Sequence, residues 1–592
     1  MLPRQLSPLH RPVTEKAGIG RSGGWCDESG CWTGFPGPGR VSPRRLFSFR
    51  RSVARVIGFA AFAKKPLVAK AGHVVGFLSA ASEQRNPLTI GAVKQIAPLG
   101  NAMWSDSHPA RPSRACPATG GKGIYTDVPA RLDRLPLSRF HLLVVTALGV
   151  TWILDGLEVT IVGAIGPMLQ DPQTLGLSAT QVGNAPSSYV IGAVIGALLF
   201  GWLTDRFGRR FVFYTTLVVY LAGVLLTAVS WSFASFAVFR AVTGVGIGGE
   251  YAAINSAIDE LIPARYRGRI DLIVNGSFWL GAAVGSGGSL LFLDPALVPP
   301  NLGWRLGFAI GGLLGISILL MRRYVPESPR WLVTHGYARE AEATVTDIEQ
   351  GVAQRAGSLE PPAGGLEIHP RKSFGFGLIL RAMFGRYRGR SVLALTLMIA
   401  QSFLFNAVFF SYGLVLNRFH DVPEGRAGIY LAPLAVSNFL GPLLLGSLFD
   451  TVGRRTMICA TFALAGMLLI ATALAFGFDA FSAWTQTLAW MSIFFFASAA
   501  ASSAYLTASE IFPLETRALA IAVFYALGTA IGGAVAPSLF GYLIGTGSQW
   551  ALAGGYLFAA ALMLIAALVE ASLGVDAEGR PLETIAGPLS AS

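Results

Sequence analysis

Asp155 and Glu158 lie three residues apart in TWILDGLEVTIVGAI (151–165), a stretch that is otherwise almost wholly apolar. At that spacing two side chains share one face of a helix. A charge at the centre of a membrane-spanning helix costs roughly 2.5–3.5 kcal/mol on insertion scales. This face therefore has to point into a helix bundle or a wet cavity, and carboxylates placed there can bind and release protons. A cation belongs beside them, and Arg240 supplies one. If the first apolar segment ends near residue 166, Glu158 lies about 12 Å below that surface at ~1.5 Å per residue, and Arg240 lies about 10 Å deep in a segment entered from the same side. At matching depth, Arg240 holds Glu158 ionised, and protonation of Glu158 frees Arg240. Asp155 is the second candidate proton site, or a hydrogen-bonded structural residue. Glu250 stands deeper in the Arg240 segment. It is read as a proton relay, as a site for a cationic part of a substrate, or as a lock on one conformation.

The elements that position these residues follow from composition. The chain has 592 residues, of which 53% are hydrophobic and 13% charged. An ordinary soluble protein carries about 25% charged residues. From Phe140 onward, twelve apolar segments are long enough to span a bilayer. They run approximately over 140–165, 184–203, 211–230, 235–258, 270–293, 303–321, 391–416, 428–448, 457–477, 484–508, 518–544 and 550–572. A polar stretch at about 322–390 divides them six and six. The fold class expected is an all-α membrane protein of two six-helix pseudo-repeats, 139–323 and 391–572, with a central cytoplasmic loop at 324–390 and a short cytoplasmic tail at 573–592.

The net charge of +13 resides in the amino-terminal part. Through Arg139 there are 21 Lys+Arg and 7 Asp+Glu, so the remainder sums to −1. Residues 1–138 read as a basic, disordered tail rich in Pro, Gly, Arg and Ser, and Met103 offers an alternative start. The folded part carries no basic excess and no nucleic-acid partner is expected. Seven His and four Cys form no metal cluster and no disulfide framework. No HExxH motif and no phosphate-binding Walker loop is present, so neither an enzyme nor an ATP-driven pump is expected.

The loops orient the chain. DRFGRR, ARYRGR, DTVGRR and PLETR follow the second, fourth, eighth and tenth segments, whereas DPQTLGLSAT, SWSFAS, FGFDAFSA and GTGSQ on the other side lack Lys and Arg. By the positive-inside rule both termini are cytoplasmic in a multi-pass protein of the cell membrane. The halves also repeat. GWLTDRFGRR (201–210) matches GSLFDTVGRR (446–455), and ELIPARYRGR (260–269) matches EIFPLETRAL (510–519). Such a parallel repeat places a binding site near the midplane between halves.

These residues carry a family resemblance. GWLTDRFGRR resembles the signature loop of the major facilitator superfamily. Arg240 with GVGIGG, PESPRW (326–331) and the EIFP segment resemble its sugar-porter-like branch. DGLE (155–158) is closer to the DGYD of aromatic-acid and metabolite:proton symporters. The resemblance implies alternating-access transport of a small organic or aromatic acid, driven by a proton gradient with no cofactor, by a monomer in the lipid bilayer. It assigns Glu158 and Arg240 to a proton switch. It assigns Asp205, Arg209, Glu260, Arg267, Glu327, Arg330, Asp450, Arg454, Glu510 and Arg517 to a cytoplasmic gate of ion pairs. Candidate substrate ligands are the amides and phenols of Asn275, Gln401, Asn406, Tyr412, Asn438 and Tyr505. A sugar transporter or facilitator of the same family, and a non-transporting nutrient sensor, are the alternatives.

Overall fold

In the computed structural model the residues described are 123–591, apart from 293–296, 323–324, 371–375, 410 and 423–426. Of the disordered tail expected over 1–138, residues 1–122, with the alternative start at Met103, lie outside them. Twelve long helices build the described chain: α1 (Arg139–Ala164), α2 (Ala179–Phe207), α3 (Arg209–Ala228), α4 (Phe233–Leu261), α5 (Arg267–Phe292), α6 (Pro300–Met321), α7 (Arg388–Phe409), α8 (Ala427–Thr451), α9 (Arg454–Gly477), α10 (Ala483–Glu510), α11 (Arg517–Gly528, continued through Thr529–Gly533 and Val535–Gly545) and α12 (Gln549–Leu573).

Ten of these are long and apolar enough to cross a membrane by length and composition. The exceptions are α4 and α5. Arg240, Glu250, Asp259 and Glu260 on α4, and Arg267 and Asp271 on α5, are all buried. These two helices sit where protein, not lipid, surrounds their charged side chains. Two further segments differ from uninterrupted helices. The seventh breaks after Phe409 and resumes as a short helix, Tyr412–His420. The eleventh loosens into a π turn at Thr529–Gly533, where a Cβ on Gly532 would lie 2.6 Å from the Ile399 carbonyl oxygen.

Within the first half α2 packs on α4, α1 on α5 and α3 on α4 and α6; within the second, α8 packs on α10 and α9 on α10 and α12. The halves meet where α2 lies on α11 and α5 on α8, two contacts that the six-helix repeat interchanges. Close approach of α2 and α4 depends on missing side chains. A Cβ on Gly244 or Gly248 would stand 2.1 or 2.0 Å from the carbonyl oxygen of Tyr189 or Ala193. Tyr189 is thereby brought beside the charged face of α4. Gly208 (φ 91°) and Gly453 (φ 116°) let α3 and α9 start directly after α2 and α8. At the opposite end Ser178, Ser232 and Ser482 cap α2, α4 and α10.

Residues 124–135, which the expected tail of 1–138 included, are folded. The strand β1 (Ile124–Thr126) pairs antiparallel with β2 (Leu366–Ile368) of the central loop. Val128 and Leu132 share an apolar core with Trp331, Val345, Val352 and Ile368. Arg131 bonds Glu349 at 2.6 Å. The central loop is itself largely helical, over Pro329–Thr334 and Ala338–Ala356. At the carboxy end, Ser590 donates its backbone N–H (3.0 Å) and hydroxyl (2.5 Å) to Glu515.

Candidate functional site

Two buried carboxylates of α1 receive different partners. Glu158 is ion-paired to Arg240 of α4, as their matched depths required. The Arg240 guanidinium lies 4.6 Å from the Tyr189 ring and 5.7 Å from that of Phe308, close enough for cation–π attraction. Asp155 meets no cation directly. It accepts a hydrogen bond from the Tyr189 hydroxyl at 2.6 Å and another from the Tyr251 hydroxyl. The arrangement holds one acid by charge and one by neutral donors.

Glu250 is not part of this constellation. It pairs with Arg322 at the end of α6 at 2.9 Å and accepts from Thr216 at 3.3 Å. Arg322 also donates to Thr151 (2.9 Å) and to the Phe213 carbonyl (2.6 Å). The pair ties α1, α3, α4 and α6 together inside one half. None of these partners is Asp155 or Glu158.

The candidate ligands divide the same way. Tyr505 of α10 stands at the seam, its ring 6.0 Å from Trp152 of α1 and 6.4 Å from Tyr251 of α4. Tyr525 of α11 lies 5.0 Å from Tyr251, and Tyr251 stacks on Trp152 at 4.4 Å. Three aromatic rings drawn from both halves thus surround the Tyr251 phenol that bonds Asp155. The other candidates do not converge there. Asn275 bonds Asn255 and the Asp271 carbonyl, both at 2.9 Å. Tyr412 is fully buried against Thr487 at 2.6 Å. Asn438 donates to the Leu434 carbonyl at 2.9 Å. Gln401 and Asn406 are half-buried on α7, where Asn406 donates to the Ser402 carbonyl at 2.7 Å. Sequence reasoning missed Trp152, Tyr189, Tyr251, Tyr525 and Arg322. Trp152 had a signal, three residues before Asp155 on the same helix face. Tyr525 had none, because its partners come from the other half.

The gate candidates form two reciprocal sets. Arg209 bonds Glu260 at 2.6 Å and Asp205 at 3.5 Å, and Arg517 of the other half lies 3.5 Å from Glu260. In the repeat, Arg454 bonds Glu510 at 3.0 Å and Asp450 at 2.8 Å, and Arg267 of the first half lies 3.5 Å from Glu510. Each terminal glutamate is therefore shared by an arginine of its own half and one from across the seam. The aspartates cross as well. Asp205 accepts from the Leu519 N–H at 3.0 Å, and Asp450 from those of Gly268 (3.0 Å) and Arg269 (2.8 Å), capping the start of α11 and of α5. Glu327 and Arg330 do not pair with each other. Glu327 caps α3 through the N–H groups of Arg209 and Arg210, and burial raises its carboxyl above the ordinary range despite those donors. Arg330 pairs with Asp133 at 2.9 Å and with Glu583. Burial opposes its charge, but the two carboxylates outweigh it and its basicity rises.

Comparison with known proteins agrees with this layout. The family profile described as "Sugar (and other) transporter" matches residues 144–587. The niacin transporter NiaP of Acinetobacter baylyi is 26% identical over 461 residues, covering 78% of this chain and 99% of that protein. The 4-hydroxybenzoate transporter PcaK of the same organism is 29% identical over 260 residues, or 44% of this chain and 55% of that protein. The solved structure of the proton:xylose symporter XylE of E. coli matches with a TM-score of 0.63 at 21% identity, covering 76% of this chain and 98% of that one.

Proposed function

The chain belongs to the sugar (and other) transporter family of the major facilitator superfamily, and from that premise we propose that it moves a small organic acid, an aromatic acid being the favoured cargo, in symport with protons. As a family member it is a multi-pass membrane transporter and not an enzyme. The observation that carries the finer reading is the buried Glu158–Arg240 pair one helical turn from Asp155, itself bonded to an aromatic cluster shared by both halves. A proton on Glu158 removes the carboxylate that neutralises Arg240. The freed guanidinium then favours an anionic cargo, so proton and acid enter together. Rocking of the halves about the seam exposes the loaded site to the other side. The end bearing the reciprocal arginine–glutamate sets is the basic end. By the positive-inside rule it faces the cytoplasm of a cell membrane, and its closure leaves the opposite side accessible. We further propose that the monomer is the working unit and that the proton gradient, with no cofactor, supplies the energy.

Uptake into proteoliposomes tests this reading. The compounds are niacin, 4-hydroxybenzoate, glucose and xylose, each with and without an acidic exterior. Accumulation of one of the two aromatic acids, dependent on the pH gradient, is the expected outcome. Glu158→Gln should abolish that accumulation yet retain exchange between two loaded sides, since exchange needs no deprotonation. Gradient-independent uptake of a sugar alone would refute the proposal.

A further inference from the structure

Tyr251 occupies a position that neither a structural nor a purely ligand-binding role explains. Its hydroxyl donates to Asp155, while its ring lies against Trp152 of the same half and against Tyr505 and Tyr525 of the other. Tyr189, the other donor to Asp155, has its ring under Arg240 within the first half. Tyr251 is thus the donor to Asp155 that touches the second half.

Charged and titratable neighbours surround Asp155 on every packed element. Glu158 lies on α1, Tyr189 on α2, Arg240 and Tyr251 on α4, Tyr505 on α10 and Tyr525 on α11. Tyr220 of α3 faces Glu158. From α5 come only the uncharged Ser277 and Phe278. Of these groups, Tyr505 and Tyr525 belong to the half that moves relative to Asp155, and both lie against the Tyr251 ring. When the halves separate, or when a flat cargo enters between the rings, Tyr251 loses neighbours on one side. A phenol held only by its hydrogen bond and by Trp152 on one face then has more rotational freedom, and Asp155 keeps its firmer donor in Tyr189.

We propose that Tyr251 is a positioning residue that couples occupancy of the inter-half seam to the proton on Asp155. The inference rests on the proton-coupled reading above, but it assigns a second proton position and the residue that reads the cargo. Linkage makes the coupling reciprocal: cargo shifts the proton equilibrium by the factor that the proton shifts cargo affinity.

The test uses the full chain in wild-type, Tyr251→Phe, Tyr189→Phe and Asp155→Asn forms. Tyr251→Phe keeps the ring and removes the donor. In detergent, Trp152 emission (wild type minus Trp152→Phe) is titrated with pH, alone and with niacin or 4-hydroxybenzoate. The wild type should show an acid transition that Asp155→Asn abolishes. A hydrogen bond to a charged acceptor contributes about a tenfold factor or more, so each phenol deletion should move the midpoint upward by about one pH unit. Added cargo should displace the midpoint in the wild type and in Tyr189→Phe, but not in Tyr251→Phe. In proteoliposomes Tyr251→Phe should lose at least tenfold in pH-driven accumulation while exchange falls only a few-fold. A transition that does not depend on Asp155, a wild-type midpoint in Tyr251→Phe, or a cargo-induced displacement surviving in Tyr251→Phe overturns the inference. If neither acid is transported by the wild type, the proposed function fails, and the cargo-free titration still decides the Tyr251–Asp155 link.

Discussion

Asp450→Asn tests how the closed end is held. The Asp450 carboxylate accepts from two backbone N–H groups in the first turn of α5, at 3.0 and 2.8 Å, and pairs with Arg454 at 2.8 Å. Those N–H groups have no intrahelical acceptor. A negative charge in a partly buried site at a helix start contributes up to about 2 kcal/mol. Asparagine retains one acceptor oxygen but loses the charge, and Arg454 keeps Glu510. The closed state should therefore weaken by about 1–2 kcal/mol, which changes the closed-to-open ratio roughly 5–30-fold. Spin labels on the exposed positions Phe207 and Val452, in a cysteine-free background, report the separation of the two halves by pulsed EPR. The longer-distance population should rise by that factor. Cargo affinity should change less than threefold, because Asp450 lies far along the helices from the acid pair. Turnover should change more, since alternating access depends on balance between the states. An unchanged distance distribution, or binding and turnover lost in parallel, would refute the latch. Asp205→Asn should behave alike through the Leu519 contact.

Two other outcomes follow. Arg322→Met strands the buried Glu250 carboxylate and should lower the thermal midpoint of the purified protein steeply, since breaking a buried pair costs about 3–5 kcal/mol; the double variant with Glu250→Gln should recover most of the loss, and a single variant as stable as wild type would remove the brace reading. His335, buried on Trp331 with ring centroids 4.2 Å apart, has its pKa lowered by burial from 6.5 to about 4. The fold holds it neutral while the unfolded chain protonates near 6.5, so its contribution is complete above that pH and is lost as pH falls toward 4. Thermal unfolding at stepped pH should show this acid limb flattened in His335→Gln, and an identical limb in both proteins would count against it.

Much of the fold was legible because its signals are local. Apolar length marked the helices, and the Gly-Arg-Arg turns after α2 and α8 marked the repeat. The depth match of Glu158 and Arg240 needed only the rise of a helix. Even the reciprocal ion pairs were visible, since Asp205, Arg209 and Glu260 recur 245 or 250 residues on. Local signals failed where partners come from distant parts of the chain. A strand of three residues before α1 carries no period, and only pairing with Leu366–Ile368 makes it one. Glu250 looks the same in sequence whether it faces a cavity or Arg322. Asn275, Tyr412 and Asn438 are polar residues in apolar helices, and which of them meets cargo depends on the rotation of each helix about its axis. Helical period alone does not set that rotation; contact between helices does. The sequence by itself thus determined which helices exist, where their charges lie in depth and how the halves repeat. The tertiary structure decided which charges pair, that Glu250 meets Arg322, and that the phenol bonded to Asp155 touches rings of the opposite half, because such contacts exist only once two surfaces far apart in the chain are packed together.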